Sequence, residues 1–387
     1  MANTQRRGSI SGNKRDGYSL ELDIAGSGPN RKRVRRRGFA TKTEAQEALN
    51  LLLAEQTQGT FVAPTDETVG GFLTRWLDEV EPTLAPSTFD SYVKKIGQHA
   101  VPRLGTIKLQ DLDGLTLNAF YADLLTDGRK DGGGGLAPRT VHYISTIVGR
   151  AMKDAVRWGL LNRNPCALSD PPRGRSTRKA PTVTWSINDL GAFFDHCDGD
   201  RYLPLYRLLA TTGMRRGEAL GLRWADIDFS AGTASIVQTL ICVDHKRVIS
   251  TAKTDAGQRQ VDLDERTLEM LADLKRTQAS EFLALGIGKQ EHDLVFTQPD
   301  GSWTHPERVT RRFQNRVREM DGAVPQIRLH DLRHTWATLA MKAGVPAKVV
   351  QERLGHARVS ITLDIYSHVM PGMQREAAEL VAGAIDA

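Results

Sequence analysis

Cysteine is scarce in this 387-residue chain: Cys166, Cys197 and Cys242 are odd in number and far apart. That pattern argues against a disulfide framework or a cysteine metal cluster and predicts a reduced, intracellular protein. Long apolar runs are missing too. The longest are short, such as Leu51 to Ala54, whereas a bilayer span needs about 20 residues, so no membrane partner is expected. The polar start, Met1 to Gly8, has no apolar core behind it, so a secretory leader is not expected. No repeat of fixed period occurs, and the only low-complexity tract is the glycine run Gly132 to Gly135. It lacks the Lys-Ser/Thr of a phosphate-binding P-loop and reads as a flexible loop.

What is present is an ordinary globular balance, 40% hydrophobic and 25% charged. At roughly 150 residues per domain, the length predicts two to three domains. The charge is uneven. Net charge is +6, and residues 1–60 hold 11 Lys and Arg against 6 Asp and Glu, a local net of +5. A basic end on a more balanced body suits a polyanion-binding arm.

The first segment reads β-β-α. Tyr18, Leu20, Leu22 and Ile24 alternate with polar residues, as in a strand. A basic run follows: Arg31, Lys32, Arg33, Arg35, Arg36 and Arg37. Thr41 and Glu44 form a capping-box pattern before a helix. The run reads either as a solvated tail or as a ribbon able to enter a DNA groove; the flanking strand and helix patterns favour the ribbon. A linker near Gly59–Glu67 leads to a helical block. Phe72, Leu73, Trp76, Leu77 and Val80 share one face; Ser87 is a candidate cap for a helix through Tyr92 and Ile96; Leu115–Leu125 gives another; Pro138–Leu160 is the longest there. Arg173, Arg175, Arg178 and Lys179 then lie on an extended Pro/Gly/Ser stretch. That stretch serves equally as a hinge or as a strap along a phosphate backbone.

The last block begins near Val183. Ser186 caps a helix, further helices run near 200–212 and 215–222, and strands are expected at Thr233–Gln238, Val248–Lys253, Gln260–Leu263 and Leu294–Thr297, forming one small sheet. Helices dominate from Glu265, and Met373–Ala387 reads as an apolar-faced helix, packing on its own domain or on a neighbouring protomer.

Four clusters in this block carry chemistry. Thr211-Thr212-Gly213-Met214-Arg215-Arg216-Gly217-Glu218 sets an arginine at a helix start after a glycine turn; alone it is a surface arginine paired with Glu218. Lys253-Thr254 sits in a polar turn between strands. His330-Asp331-Leu332-Arg333-His334 places His330 and Arg333 on one helix face. His330 and His334 also have zinc-helix spacing with His356 as a third candidate, but Asp331 replaces the motif's glutamate and Arg333 sets a fixed cation there. Leu354-Gly355-His356 precedes Asp364-Ile365-Tyr366-Ser367-His368; an isolated tyrosine is more often a buried aromatic with a satisfied hydroxyl. Together the clusters hold two guanidinium groups for a phosphodiester, a tyrosine able to act as nucleophile once cations lower its proton affinity, and a lysine able to protonate a leaving oxygen. No acidic cluster suited to Mg²⁺ accompanies them, so the expected chemistry is phosphoryl transfer without metal or cofactor.

In motif, order and spacing the chain resembles the tyrosine recombinase family, specifically phage-type integrases with an N-terminal arm-binding domain. The resemblance covers nearly the whole chain and implies a multidomain, mainly α fold with small β-sheets. Its parts would be an arm-type DNA-binding domain at 1–60, a helical core-binding domain at 68–170 and a mixed, mainly helical catalytic domain at 183–387. It implies that Arg215 and Arg333 bind the scissile phosphate, Lys253 is the general acid, and His330 serves acid/base and positioning roles. His356 would donate to the phosphate, Tyr366 would form a 3′-phosphotyrosine, and Glu218 would support Arg215. It also implies double-stranded DNA core and arm sites, a homotetramer working through a Holliday junction, an excisionase or directionality factor, a DNA-bending protein, and a place on DNA in a bacterial cytoplasm. A Xer-like or transposon recombinase, and a catalytically silent DNA-binding regulator, are the other readings; a metal-dependent hydrolase is a third.

Overall fold

The computed structural model describes residues 8–25, 32–58, 61–173, 183–244, 246–251, 258–288, 292–360, 363, 381–383 and 385. The chain divides into two compact units, 1–179 and 180–387.

The first unit opens with an antiparallel sheet, β1 (Gly8–Asn13), β2 (Gly17–Ala25) and β3 (Lys32–Phe39), in that order. α1 (Lys42–Gln58) covers one face. Alternation does the sorting: Leu20, Leu22 and Val34 are buried on the helix side, with Leu49 and Leu52 from α1. Thr41 and Glu44 form the expected reciprocal cap, the Glu44 N–H donating to Thr41 Oγ1 at 3.2 Å and the Thr41 N–H to Glu44 Oε2 at 3.4 Å. The N-terminal segment 8–58 is thus β-β-β-α, with a first strand beyond the expected β-β-α. β1 is Gly-Ser-Ile-Ser-Gly-Asn, with one apolar residue; pairing with β2 makes it a strand, rather than its own propensity.

Five helices follow: α2 (Val69–Val80), α3 (Pro86–Lys95), α4 (Val101–Leu104), α5 (Gly114–Asp127) and α6 (Pro138–Arg157). Their apolar stripes meet in a second core around Phe72, Leu73, Trp76, Ile144 and Val148. The Trp76 indole N–H is satisfied inside that core by Asp154 Oδ2 at 2.8 Å. Ser87 does not cap α3: the cap position is Ala85, because Pro86 fills the first helical position with its φ already helical. The glycine run is closed by its own bonds, the Arg129 N–H to the Gly134 carbonyl at 2.9 Å and the Gly133 N–H to Asp131 Oδ1 at 3.0 Å.

The second unit contains α7 (Ile187–His196), α8 (Leu203–Thr212), α9 (Arg216–Leu220), β4 (Ile227–Asp228), β5 (Thr233–Ile236), β6 (Gln238–Val243), β7 (Lys246–Thr251), β8 (Arg259–Asp262), α10 (Glu265–Ala284), α11 (Pro306–Glu319), α12 (Asp331–Lys342) and α13 (Ala347–Leu354). Ser186 and Asp189 make the capping box of α7. The strands form two sheets rather than one: β4-β5-β8, and the β6–β7 hairpin. The expected strand Thr233–Gln238 breaks at Val237, where the chain passes from one sheet to the other. Leu294–Thr297 is not a strand; only single bridges, Arg223 to Leu294 and Thr297 to Trp303, involve it. Its apolar run is buried beside α10 instead, where the Gln278 amide donates to the Leu294 carbonyl at 3.2 Å and to Thr297 Oγ1 at 2.7 Å. A side chain there takes over what a neighbouring strand would supply.

Candidate active site

Three of the four motif clusters meet at the C-terminal end of α13. Leu354 ends that helix and Gly355 follows in the left-handed region, φ 63°, a conformation that costs glycine little. The turn leaves the last carbonyls of the helix without intrahelical partners, at its negative pole. Two arginines fill consecutive places: Arg333 Nη2 donates to the Leu354 carbonyl at 2.5 Å, and Arg215 Nη2 to the Gly355 carbonyl at 3.2 Å. Residues about 120 apart in sequence thereby share one short stretch of main chain.

Each arginine is fixed from its own side as well. Gly213 ends α8 at φ 68°, and its carbonyl accepts from Arg333 Nη1 at 2.7 Å. A methyl group at Gly213 would lie 2.7 Å from Leu354 Cδ2 and 3.0 Å from the Trp336 ring, so the close approach of these segments needs glycine. Arg215 immediately precedes α9. Glu218, one turn on, accepts from its backbone N–H at 2.8 Å and from Nη1 at 2.6 Å. Burial pushes the Glu218 carboxyl up, but Arg259 and Arg215 outweigh it and hold the group below its ordinary value. Asp331 does the same work for the His330–Arg333 turn. It is buried, accepts from the Arg328 backbone N–H at 2.8 Å, and is gripped by Arg328 Nε and Nη2 at 2.9 and 2.7 Å.

His330 lies just before α12 and is exposed; its ring meets the buried His334 ring edge-on at 5.4 Å. His356 is half-buried. Burial first, then Arg333 and Arg215, push its imidazole down to about 4, so at neutral pH it is an uncharged ring with one N–H to donate. The cluster thus offers two fixed cations and a neutral donor, a setting suited to a phosphodiester and to the extra charge of its transition state. Among the described residues, no three His, Cys, Asp or Glu are grouped to hold a metal, and no helix is long and apolar enough to cross a membrane.

Lys253 and Tyr366 lie outside the described residues, as do Arg31, Arg175, Arg178, Lys179 and most of Met373–Ala387. The β6–β7 hairpin leads towards Lys253; Cys242 Sγ lies 3.5 Å from His305 Nε2, and Arg247 donates to the Trp303 carbonyl. In the first unit, β3 divides the basic run. Arg33, Arg35 and Arg37 stand opposite Asp23, Glu21 and Ser19 on the face away from α1. Arg33 is 3.2 Å from Asp23 and Arg35 3.3 Å from Glu21. Arg36 falls on the other face and lines a cleft with Glu55, Gln110 and Arg163. Lys32 begins the strand, and Arg173 is exposed beyond the turn at Pro165–Leu168.

Two features escaped the sequence reading. Arg139, Tyr143, Thr146, Lys153 and Arg157 are exposed along α6, with half-buried Arg150 in the same row. Spaced by three and four, they form one stripe, and that spacing is visible in the sequence. The second is Arg259 on β8, which bonds Glu218 from 41 residues away; no local pattern marks it.

The Phage integrase family model matches residues 186–372, and the model of the phage integrase N-terminal SAM-like domain matches residues 68–125. A protein named tyrosine recombinase XerC-like from Caldanaerobacter subterraneus is 26% identical over 385 residues, covering 95% of this chain and 96% of that one. The ICEBs1 integrase of Bacillus subtilis is 30% identical over 247 residues, 63% of this chain and 66% of that one. Among solved structures, the Tn1549 transposon integrase bound to a circular intermediate DNA superposes with a TM-score of 0.67 at 17% identity, covering 81% of this chain and 99% of that chain. A lambda integrase tetramer bound to a Holliday junction gives 0.55 at 17% identity, covering 90% and 95%.

Proposed function

The chain belongs to the phage integrase family and is a tyrosine-type site-specific recombinase acting on DNA; from that premise we propose that it integrates a phage or mobile element through a covalent 3′-phosphotyrosine. Arg215 and Arg333 hold the two non-bridging oxygens of the scissile phosphate, and His356 adds a neutral donor. Glu218 keeps Arg215 in place. The Tyr366 oxygen attacks phosphorus as its proton leaves, with His330 as the acid/base and positioning group. The bond to the 5′-oxygen breaks, and Lys253 supplies the proton that makes it a 5′-hydroxyl. The energy of the phosphodiester is kept in the tyrosyl bond, so rejoining needs no nucleotide. Attack by a second strand's 5′-hydroxyl reverses the chemistry and frees Tyr366. Performed twice in a tetramer, this passes through a Holliday junction.

The α6 stripe is the surface we assign to the core site in the 68–170 domain. Arg33, Arg35 and Arg37 are assigned to arm sites in the 1–60 domain, with Arg173, Arg175, Arg178 and Lys179 following the backbone between domains. An excisionase and a DNA-bending protein are the accessory partners this scheme calls for, on DNA in a bacterial cytoplasm. The observation that carries the reading is the seat of Arg215 and Arg333 on adjacent carbonyls beside a neutral His356.

The test is covalent trapping. Full-length protein is mixed in EDTA with a nicked duplex spanning the junction between element and chromosome, then run on a denaturing gel beside Tyr366→Phe. A protein–DNA band in the wild type alone is expected. Its absence on that site would leave a silent DNA-binding regulator as the better reading. The XerC-like relative favours one further alternative, a Xer-like recombinase, for which resolution between two identical sites is the reaction we would expect. Recombination assays with two identical and two different sites separate the two.

A further inference from the structure

The two arginines of the site occupy the carbonyls of Leu354 and Gly355, and the carbonyl just before them is taken by a third. Arg259 Nε donates to the Arg353 carbonyl at 2.6 Å. The same guanidinium turns its other edge to Glu218, with Nη2 to Oε2 at 2.8 Å and Nη1 to Oε1 at 3.3 Å. Three consecutive carbonyls at the end of α13 therefore each receive a different arginine, and Arg259 also shares with Arg215 the carboxylate of Glu218. Both members of the Arg259–Glu218 pair have side chains 8% exposed. Arg259 opens β8, six residues after Lys253.

We propose that Arg259 is a positioning residue for strand cleavage, tying the Glu218 clamp on Arg215 to the turn that carries His356. The proposal rests on the recombinase reading above. Its physical content is a division of one buried carboxylate between two cations. With Arg259 present, Glu218 is anchored to β8 and to α13 and can set where Arg215 points. Without it, Arg215 is the one cation among the described residues still bonded to Glu218. The carboxylate then draws that guanidinium towards itself and competes with the phosphate. A displaced phosphate-binding group costs rate more than binding, since the change is felt most where charge is building. A lysine cannot replace the arginine, because one ammonium cannot reach both the carboxylate and the carbonyl along the two edges of a planar fork.

The test uses full-length wild type, Arg259→Gln, Arg259→Lys and the double variant Glu218→Gln with Arg259→Gln. Single-turnover formation of the covalent complex on the nicked junction duplex is followed between about pH 5 and 8, with DNA affinity measured alongside. Arg259→Gln is expected to slow cleavage about 100-fold while DNA affinity changes less than about threefold. An acid limb should appear in its pH profile, because Glu218 loses one of the two cations that hold it ionised. That limb should vanish in the double variant, which has no carboxyl to protonate. Arg259→Lys should be slowed about tenfold.

A purely structural salt bridge would change stability and leave the pH profile where it was. Wild-type rate and profile in Arg259→Gln overturn the proposal. If Arg259→Gln does not fold, wild-type rate in Arg259→Lys overturns it equally. A wild type that forms no covalent complex overturns the recombinase reading, and this proposal with it; an active wild type with an equally active Arg259→Lys overturns this proposal alone.

Discussion

In the N-terminal sheet, the Arg33 and Arg35 side chains are 51% and 46% exposed over Asp23 and Glu21; in the second unit, Arg333 is 4% exposed and bonded to two main-chain carbonyls. The same residue type is thus used in two ways. An exposed ion pair contributes about 0–1 kcal/mol, so the sheet arginines can exchange a carboxylate for a phosphate at little cost. A buried guanidinium has no water to fall back on, and its partners fix its direction before any ligand arrives. Counting arginines finds both groups, but only their surroundings separate a guanidinium free to change partners from one fixed in place.

The sharpest way to break this comparison is at Arg333. Arg333→Ala should lower covalent-complex formation by about 10³-fold or more, while gel-shift affinity for the same duplex stays close to wild type. Equal losses in binding and cleavage would reduce Arg333 to a residue that adds to DNA affinity alone.

Glu218 tests the buried side through stability. Glu218→Ala leaves Arg259 buried without its carboxylate and should cost about 3–5 kcal/mol in urea unfolding. The pH sign follows from its carboxyl lying below the ordinary value. Stability from this group is complete above the unfolded-state value and is lost as pH falls through the folded one. A Glu218→Ala protein as stable as wild type would mean that the pair contributes nothing net.

A smaller effect is expected at His356. Its imidazole sits at about 4 against an ordinary 6.5. Between those values the unfolded chain binds a proton that the folded chain refuses. Stability from this source is therefore full above about pH 6.5 and declines as pH drops towards 4. Unfolding at pH 7 and pH 5 should show a drop in wild type that is reduced in His356→Gln; parallel curves would count against the burial that holds the ring neutral.

The smallest effect belongs to the sheet. Arg33→Gln with Arg35→Gln should change unfolding free energy by no more than about 1 kcal/mol. The same pair should flatten the salt dependence of arm-site binding by about one in slope for each phosphate that is no longer neutralised. A large loss of stability there would erase the contrast between the two units.

The sequence by itself determined much of this protein. Period-two and period-three-to-four patterns report which face of a short segment is apolar, so β2, α6 and α7 were legible, as were the caps at Thr41 and Ser186. The motif clusters were legible because their residues stand together in the chain. β1 and the fate of Leu294–Thr297 were not, since each depends on what lies alongside: β2 makes the first a strand, while the second meets only single bridges and the Gln278 side chain of α10. Only the tertiary structure decided which carbonyls Arg215 and Arg333 take, why His356 is neutral, and that Arg259 shares Glu218. These charges are settled by approach in space across stretches of 21 to 140 residues, and local periodicity carries no record of those distances.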